Sequence, residues 1–196
     1  AIIFGACKKL VEVDDPKNQL TSEKVFSDSL AVRALLNNIY GNVERSMESP
    51  ITVQMALYTD ELNTTTINSD AVEFRNNILS LQNGLNLNIW RYPYVGIYQC
   101  NDILNNLRNS SLPQQFKQTI IPEAHFLRAF SYLHLVGLYK NIPLVTGTDV
   151  RENRLVSNSD SSVIYKLILS VFSQVYFIVV LFYHIKKCYL TVRKQN

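Results

Sequence analysis

Pro122-Glu123-Ala124-His125-Phe126-Leu127-Arg128-Ala129-Phe130-Ser131-Tyr132-Leu133-His134-Leu135-Val136-Gly137-Leu138-Tyr139-Lys140-Asn141-Ile142-Pro143-Leu144-Val145 is the stretch on which the fold turns. Its apolar residues recur at helical spacing and leave almost no polar face. A helix of that kind is buried on several sides. Pro143 marks an extended exit, because the residue before a proline is pushed out of helical geometry. Arg128 lies on this apolar helix, so its guanidinium needs a carboxylate or carbonyl partner.

Working outward, the rest of the chain also reads as helices. Residues 8–21 are polar, with Asp15-Pro16 as a turn, and suit an extended tether. Ser22 caps a helix carrying Val25, Phe26, Leu30, Ala34, Leu35, Ile39 and Tyr40, with Gly41-Asn42 as its stop. A second helix spans Pro50 to Leu57, with proline in its first turn. Residues 59–70 form a polar loop. Helical blocks follow over roughly residues 71–80 and from Leu85 to Leu107, and Asn109-Ser110-Ser111-Leu112-Pro113 breaks the pattern. The next helix runs to Lys140, with Pro122 either starting a new segment or kinking one. Residues 141–161 are irregular, and a last apolar pattern begins at Val163. Antiparallel helices with short polar breaks describe a bundle or a tetratricopeptide-like array. The sequence holds no 34-residue self-repeat to choose between them.

Composition narrows the function. The 196 residues include 47% hydrophobic side chains, enough for one sizeable core. Lys and Arg number 19 against 16 Asp and Glu, a net charge of +3, without the clustered basic face that nucleic acid requires. Lys186-Lys187 and Arg193-Lys194 make only a short basic end. Cys7, Cys100 and Cys188 are an odd, widely spaced set with no metal-ligand spacing. Cys100 falls in an apolar helical pattern and reads as a small core residue.

Catalytic signatures are lacking: there is no glycine-rich phosphate loop, no G-x-S-x-G and no H-E-x-x-H. His125 and His134 are nine apart, off ligand spacing, and read as structural histidines. Asp60-Glu61 would suit acid–base work only with a second carboxylate site, and none can be placed. Sugar capture asks for aromatic faces against pyranose C–H surfaces and for amide or charged groups on hydroxyls. Trp90, Tyr92 and Tyr94, near a loop holding Asp60 and Asn63, supply those types. The alternative is that Trp90 and Tyr94 pack helix on helix with Ile97.

Several stretches resemble, in order, the SusD/RagB family of surface lipoproteins that capture glycans for an outer-membrane transporter. The opening stretch is similar to that family's Glu-Ala-Arg-Phe-Leu-Arg-Ala helix and Tyr-Gly-Asp-x-Pro-Leu-Val turn. Leu20 to Phe26 resembles its first-helix opening, and Tyr58-Thr59-Asp60-Glu61 resembles its loop entry. Trp90 to Leu104 is similar to its W-x3-Y-x2-I-x2-C-N-x-I helix, and Arg154-Leu155-Val156 with Val163 to Ile168 to the entry of its next helix. His125 stands for the usual Arg, Pro122 for the usual Gly and Lys140 for the usual Gly. Ala1-Ile2-Ile3-Phe4-Gly5-Ala6-Cys7 resembles the end of a lipoprotein signal, which would make Cys7 the acylated residue. A buried N-terminal strand is the other reading. The Lys8–Pro16 stretch is similar to the segment after the lipidated Cys in the family, and it favours the lipoprotein one.

The resemblance runs from about residue 7 to 168. Beyond Ile168 the sequence turns apolar and then basic, where the family continues with an Ala-rich amphipathic helix. A marginal membrane span, a native helix without a polar face and an out-of-frame end are the competing readings; the last, in a truncated chain, is the expectation.

The resemblance therefore implies an all-α, tetratricopeptide-like helical array with irregular loops and without the family's C-terminal half. Residues 1–6 are expected to be a signal remnant, 7–21 a lipidated tether, 22–168 the helical domain and 169–196 an atypical tail. The implied function is oligosaccharide binding at the outer-membrane surface and delivery to a SusC-like TonB-dependent transporter. The implied site is Asp60, Asn63, Trp90, Tyr92 and Tyr94, with no catalysis, cofactor, metal or nucleic acid. A helical-repeat protein-interaction module without sugar binding is the alternative.

Overall fold

The computed structural model describes residues 22–47, 49–65 and 67–174. The expectations for Cys7, Cys188, the tether and the chain beyond residue 174 lie outside them. The described chain is helical: α1 (Ser22–Val25), α2 (Ser29–Met47), α3 (Ser49–Tyr58), α4 (Ser69–Arg75), α5 (Gly84–Asn109), α6 (Gln114–Tyr139), α7 (Val150–Asn153) and α8 (161–174). Between them lies one two-residue antiparallel pair, β1 (Ile142–Pro143) and β2 (Asn158–Ser159).

α5 and α6 are the long central pair. Late residues of α5 share a cluster with early residues of α6, and the reverse holds at the other end, so the two run antiparallel. Cys100, Ile103, Leu104 and Leu107 meet Ile120, Ala124 and Leu127, and α2 closes this cluster with Val32, Leu36 and Ile39. Further along, Ile97 meets Tyr132, Leu135 and Val136, closed by Ile142 of β1 and by Ile164 and Ile168 of α8. A third, smaller cluster joins Leu57, Phe74 and Ile89 from α3, α4 and the start of α5. The nearly all-apolar α6 is thus explained by neighbours on several sides.

Local chemistry sets the breaks. The helix expected from Ser22 to Tyr40 is instead two: Asp28 interrupts it by accepting a bond from the Leu30 N–H at 2.9 Å, an N-cap geometry. The restart rotates the buried face to Val32, Leu36 and Ile39, while Leu30 is 78% exposed. Gly41 does not stop α2, which runs to Met47, because burial of its apolar face outweighs a glycine penalty of roughly 1 kcal/mol. The block expected over residues 71–80 ends at Arg75. There Glu73 turns back to accept from the Ser80 N–H and hydroxyl, both at 3.0 Å, and from Asn83 Nδ2 at 2.8 Å. Asn83 in turn caps α5 through the Asn86 N–H. Gly84 fits closely here: a Cβ would lie 3.0 Å from Asp70 Oδ2, which accepts the Gly84 N–H, so a larger residue would have to displace that carboxylate.

Pro122 lies inside an unbroken α6, and Pro93 inside α5. The C-terminal end of α5 is closed by Lys117, whose Nζ donates to the carbonyls of Arg108 (3.2 Å) and Ser110 (2.6 Å), a cation on the negative end of a helix dipole. α8 continues past Ile168, and Phe172 packs on Phe126 with ring centroids 5.6 Å apart. The packing of the helical domain therefore reaches at least Phe172.

Candidate functional site

The exit from α6 is held by a buried polar network. The Tyr132 hydroxyl donates to the Val145 carbonyl at 2.7 Å and accepts the Val145 N–H at 2.8 Å, so one side chain satisfies both backbone groups of a non-helical residue. Asn101, fully buried on α5, donates to the carbonyls of Val145 (3.1 Å) and Gly147 (3.3 Å). Its Oδ1 accepts from Arg128 Nη1 at 2.8 Å. Arg128 thus finds the carbonyl partner its setting requires, in a side-chain amide. Its other contact is His125 Nδ1 at 3.3 Å. Burial first, then the charges of Arg128 and Arg108, hold His125 below the usual imidazole range. This network holds residues 143–147 against α5 and α6, with Arg128 Nε buried beside it without a partner. The Cys100 thiol beside it is buried and pushed up to about 12, consistent with an inert core residue.

The five expected site residues separate into three places. Asp60 and Asn63 line one cavity of about 350 Å3 with Leu62 and Arg75. Asp60 has φ of 61°, in the left-handed region that Asp tolerates better than most residues. Asn63 Oδ1 accepts the Thr64 N–H at 2.8 Å, and Arg75 Nη1 donates to the Thr64 carbonyl at 3.0 Å, so the loop is braced around the opening. A carboxylate, an amide and a guanidinium at one rim suit hydroxyl groups.

Trp90 and Tyr94 pack on each other at 5.1 Å and onto the second cluster, as the alternative reading had it. Trp90 also meets Tyr139 edge-on at 4.9 Å, and the Tyr94 hydroxyl donates to the Pro143 carbonyl at 2.9 Å. Tyr92 faces out, 40% exposed, under the Arg91 guanidinium at 5.0 Å. Sequence reasoning missed Arg75 and Tyr58. Arg75 is the one cation between residues 59 and 75. Tyr58, 43% exposed, stands two residues before Asp60 on a groove of about 270 Å3 that Phe74, Leu138 and Tyr139 also line. Among the described residues no group of His, Cys, Asp and Glu could hold a metal ion. Among them, too, no helix is long and apolar enough to cross a membrane.

Residues 11–176 match the SusD-like family described as starch-binding, associating with outer membrane. The chain belongs to this SusD-like family. It is 24% identical over 170 residues to SusD-like protein P2 of Formosa agariphila, which covers 84% of this chain and 33% of that protein. Over 83 residues it is 31% identical to SusD-like protein P25 of the same organism, 41% of this chain and 16% of that one. A laminarin-binding SusD-like protein superimposes with a TM-score of 0.64 at 22% identity, over 74% of this chain and 32% of its own. A SusD-like protein of Bacteroides fragilis does so with a TM-score of 0.62 at 20% identity, over 77% and 29%. These likenesses establish the SusD-like helical fold. The chain spans a third or less of the length of the relatives it matches.

Proposed function

We propose that this SusD-like chain is the helical part of a non-catalytic glycan-binding protein of the outer membrane. The family match over residues 11–176 carries the reading. The cavity of Asp60, Asn63 and Arg75 supports it, since its groups bond sugar hydroxyls and none is arranged for acid–base work. Tyr92 offers an exposed ring, while Trp90 and Tyr94 brace α5 from inside. Capture of oligosaccharide at the cell surface and delivery to a SusC-like TonB-dependent transporter complete the proposal, with acylated Cys7 as the membrane anchor.

Isothermal titration with laminarin, starch and xylan tests the sugar reading. Binding to one of them, weakened at least tenfold by Asp60→Ala with Asn63→Ala, is the expected result. Absence of binding to all three, or release of reducing sugar from any of them, overturns it. The reading as a protein-interaction module draws on one observation, the exposed apolar face of α5 at Leu87, Val95 and Tyr98. Capture of a transporter barrel without glycan, lost on Val95→Asp, would favour that role over sugar binding.

A further inference from the structure

The C-terminal turns of α5 carry Asn105, Asn106 and Asn109, followed by Ser110 and Ser111. Asparagine is a poor residue inside a helix, because its amide competes for backbone groups. Three in five positions weaken this end of the longest helix pair among the described residues. The structure places them along one wall of a groove of about 600 Å3, with Ser22 and Glu23 of α1 on the other wall and Phe26 at its floor. That volume is in the range of small-ligand sites.

Hydrogen bonding within the groove leaves a distinct set of groups open. Asn106 spends both amide protons on Asp102, at 2.9 Å to its carbonyl and 2.8 Å to its carboxylate, and keeps its own Oδ1 open. Ser110 donates to the Leu107 carbonyl and keeps acceptor capacity. The Asn105 and Asn109 amides and the Ser22 and Ser111 hydroxyls make no side-chain hydrogen bond among the described residues. Lys117, at the same end of α5, is consumed by two carbonyls. Among the polar groups, neutral donors and acceptors therefore dominate, with one carboxylate at Glu23, and Phe26 adds apolar lining. This chemistry disfavours an anion, and a lining that mixes polar groups with apolar surface suits a neutral ligand that has both.

We propose that the groove between α1 and the end of α5 is a second contact site for neutral oligosaccharide. It rests on the reading of the chain as a glycan binder. It is distinct from the Asp60 cavity: the two share no residue. Along α5 the groove also lies about 22–28 Å from Trp90, at 1.5 Å per residue. Amides and hydroxyls on adjacent turns address successive sugar hydroxyls, and the apolar part of the lining meets a C–H face.

Titration of the 196-residue chain with maltotriose and laminaritriose, followed by NMR at the Asn106 side chain and the Ser110 and Ser111 amides, tests the assignment. Saturable shifts are expected with one of the two sugars. Asn105→Ala with Asn109→Ala should weaken them at least fivefold while circular dichroism keeps or gains helix, since alanine favours the helix. Shifts at the Asp60 loop with none at the groove, or groove shifts that the double variant leaves unchanged, overturn this site alone. No shift anywhere overturns both the site and the glycan reading. Equal response to a Gly-Ser peptide overturns the sugar assignment in favour of a polypeptide ligand.

Discussion

Lys140 shows how one residue records a departure from the family. It ends α6 with φ of 62° and ψ of −94°, close to the strained γ-turn geometry that side chains with a Cβ avoid. Its exposed side chain makes no hydrogen bond among the described residues that would hold it there. Glycine, which the resembled family uses at this position, adopts such angles without the steric cost. Lys140→Gly should therefore raise stability by about 1 kcal/mol, read as a higher urea midpoint. Tyr132 is the opposite case, a residue whose one oxygen serves two backbone groups. Tyr132→Phe strands the Val145 N–H, while Asn101 still reaches the Val145 carbonyl, and a loss of about 1–3 kcal/mol is expected in the same measurement.

His125 gives the molecule a pH dependence with a definite sign. Its folded value is depressed below 6.5, by burial first and then by Arg128 and Arg108. The unfolded chain then binds the proton more readily, so stability present above about pH 6.5 is lost as pH falls until folded His125 also protonates. His125→Gln should flatten the fall in urea midpoint between about pH 7.5 and 5.0. An unchanged slope would mean that other groups set it.

Among elements, α2 and α6 are joined in two ways of unequal worth. Arg33 and Glu123 form an ion pair at 3.0 Å, with both side chains about a third exposed or more. Such pairs contribute about 0–1 kcal/mol after solvent screening. Leu36, on the same helix as Arg33 and wholly buried, fills the first cluster. Glu123→Gln should cost less than about 1 kcal/mol and Leu36→Ala about 2–5 kcal/mol, compared by chemical denaturation. The helices most legible in the sequence were α5 and α6, because 26 residues each gave the apolar period room to repeat. The start of α2 was not legible. Both Leu30 and Val32 fit a helical period, and only the Asp28 cap decides which one turns inward.

For the whole molecule, the all-helical class could be read from periodicity, and the family from ordered motifs. The sugar-facing set was harder. Residue types placed Trp90, Tyr92 and Tyr94 in one cluster, yet a helix turns about 100° per residue, so alternate positions cannot share a face. That geometry sends Trp90 and Tyr94 inward and Tyr92 outward. Asp60 and Asn63 come from an irregular loop, whose shape depends on Arg75 and Thr64 and not on any period. The reach of α8 is a further whole-molecule matter. Ile164, on its inner face, is fully buried, so Ile164→Ala should lower stability by about 2–5 kcal/mol, seen in thermal unfolding. If α8 were a passenger, the loss would be below about 1 kcal/mol.

The Lys117 ammonium makes the end of α5 depend on its neighbour. Because that charge reaches across from the first turn of α6 to the carbonyls of Arg108 and Ser110, the corner between the helices behaves as a latch: neither end frays without releasing the other. A proteinase drawing the Asn109–Pro113 connection into its cleft would first have to part Lys117 from those two carbonyls.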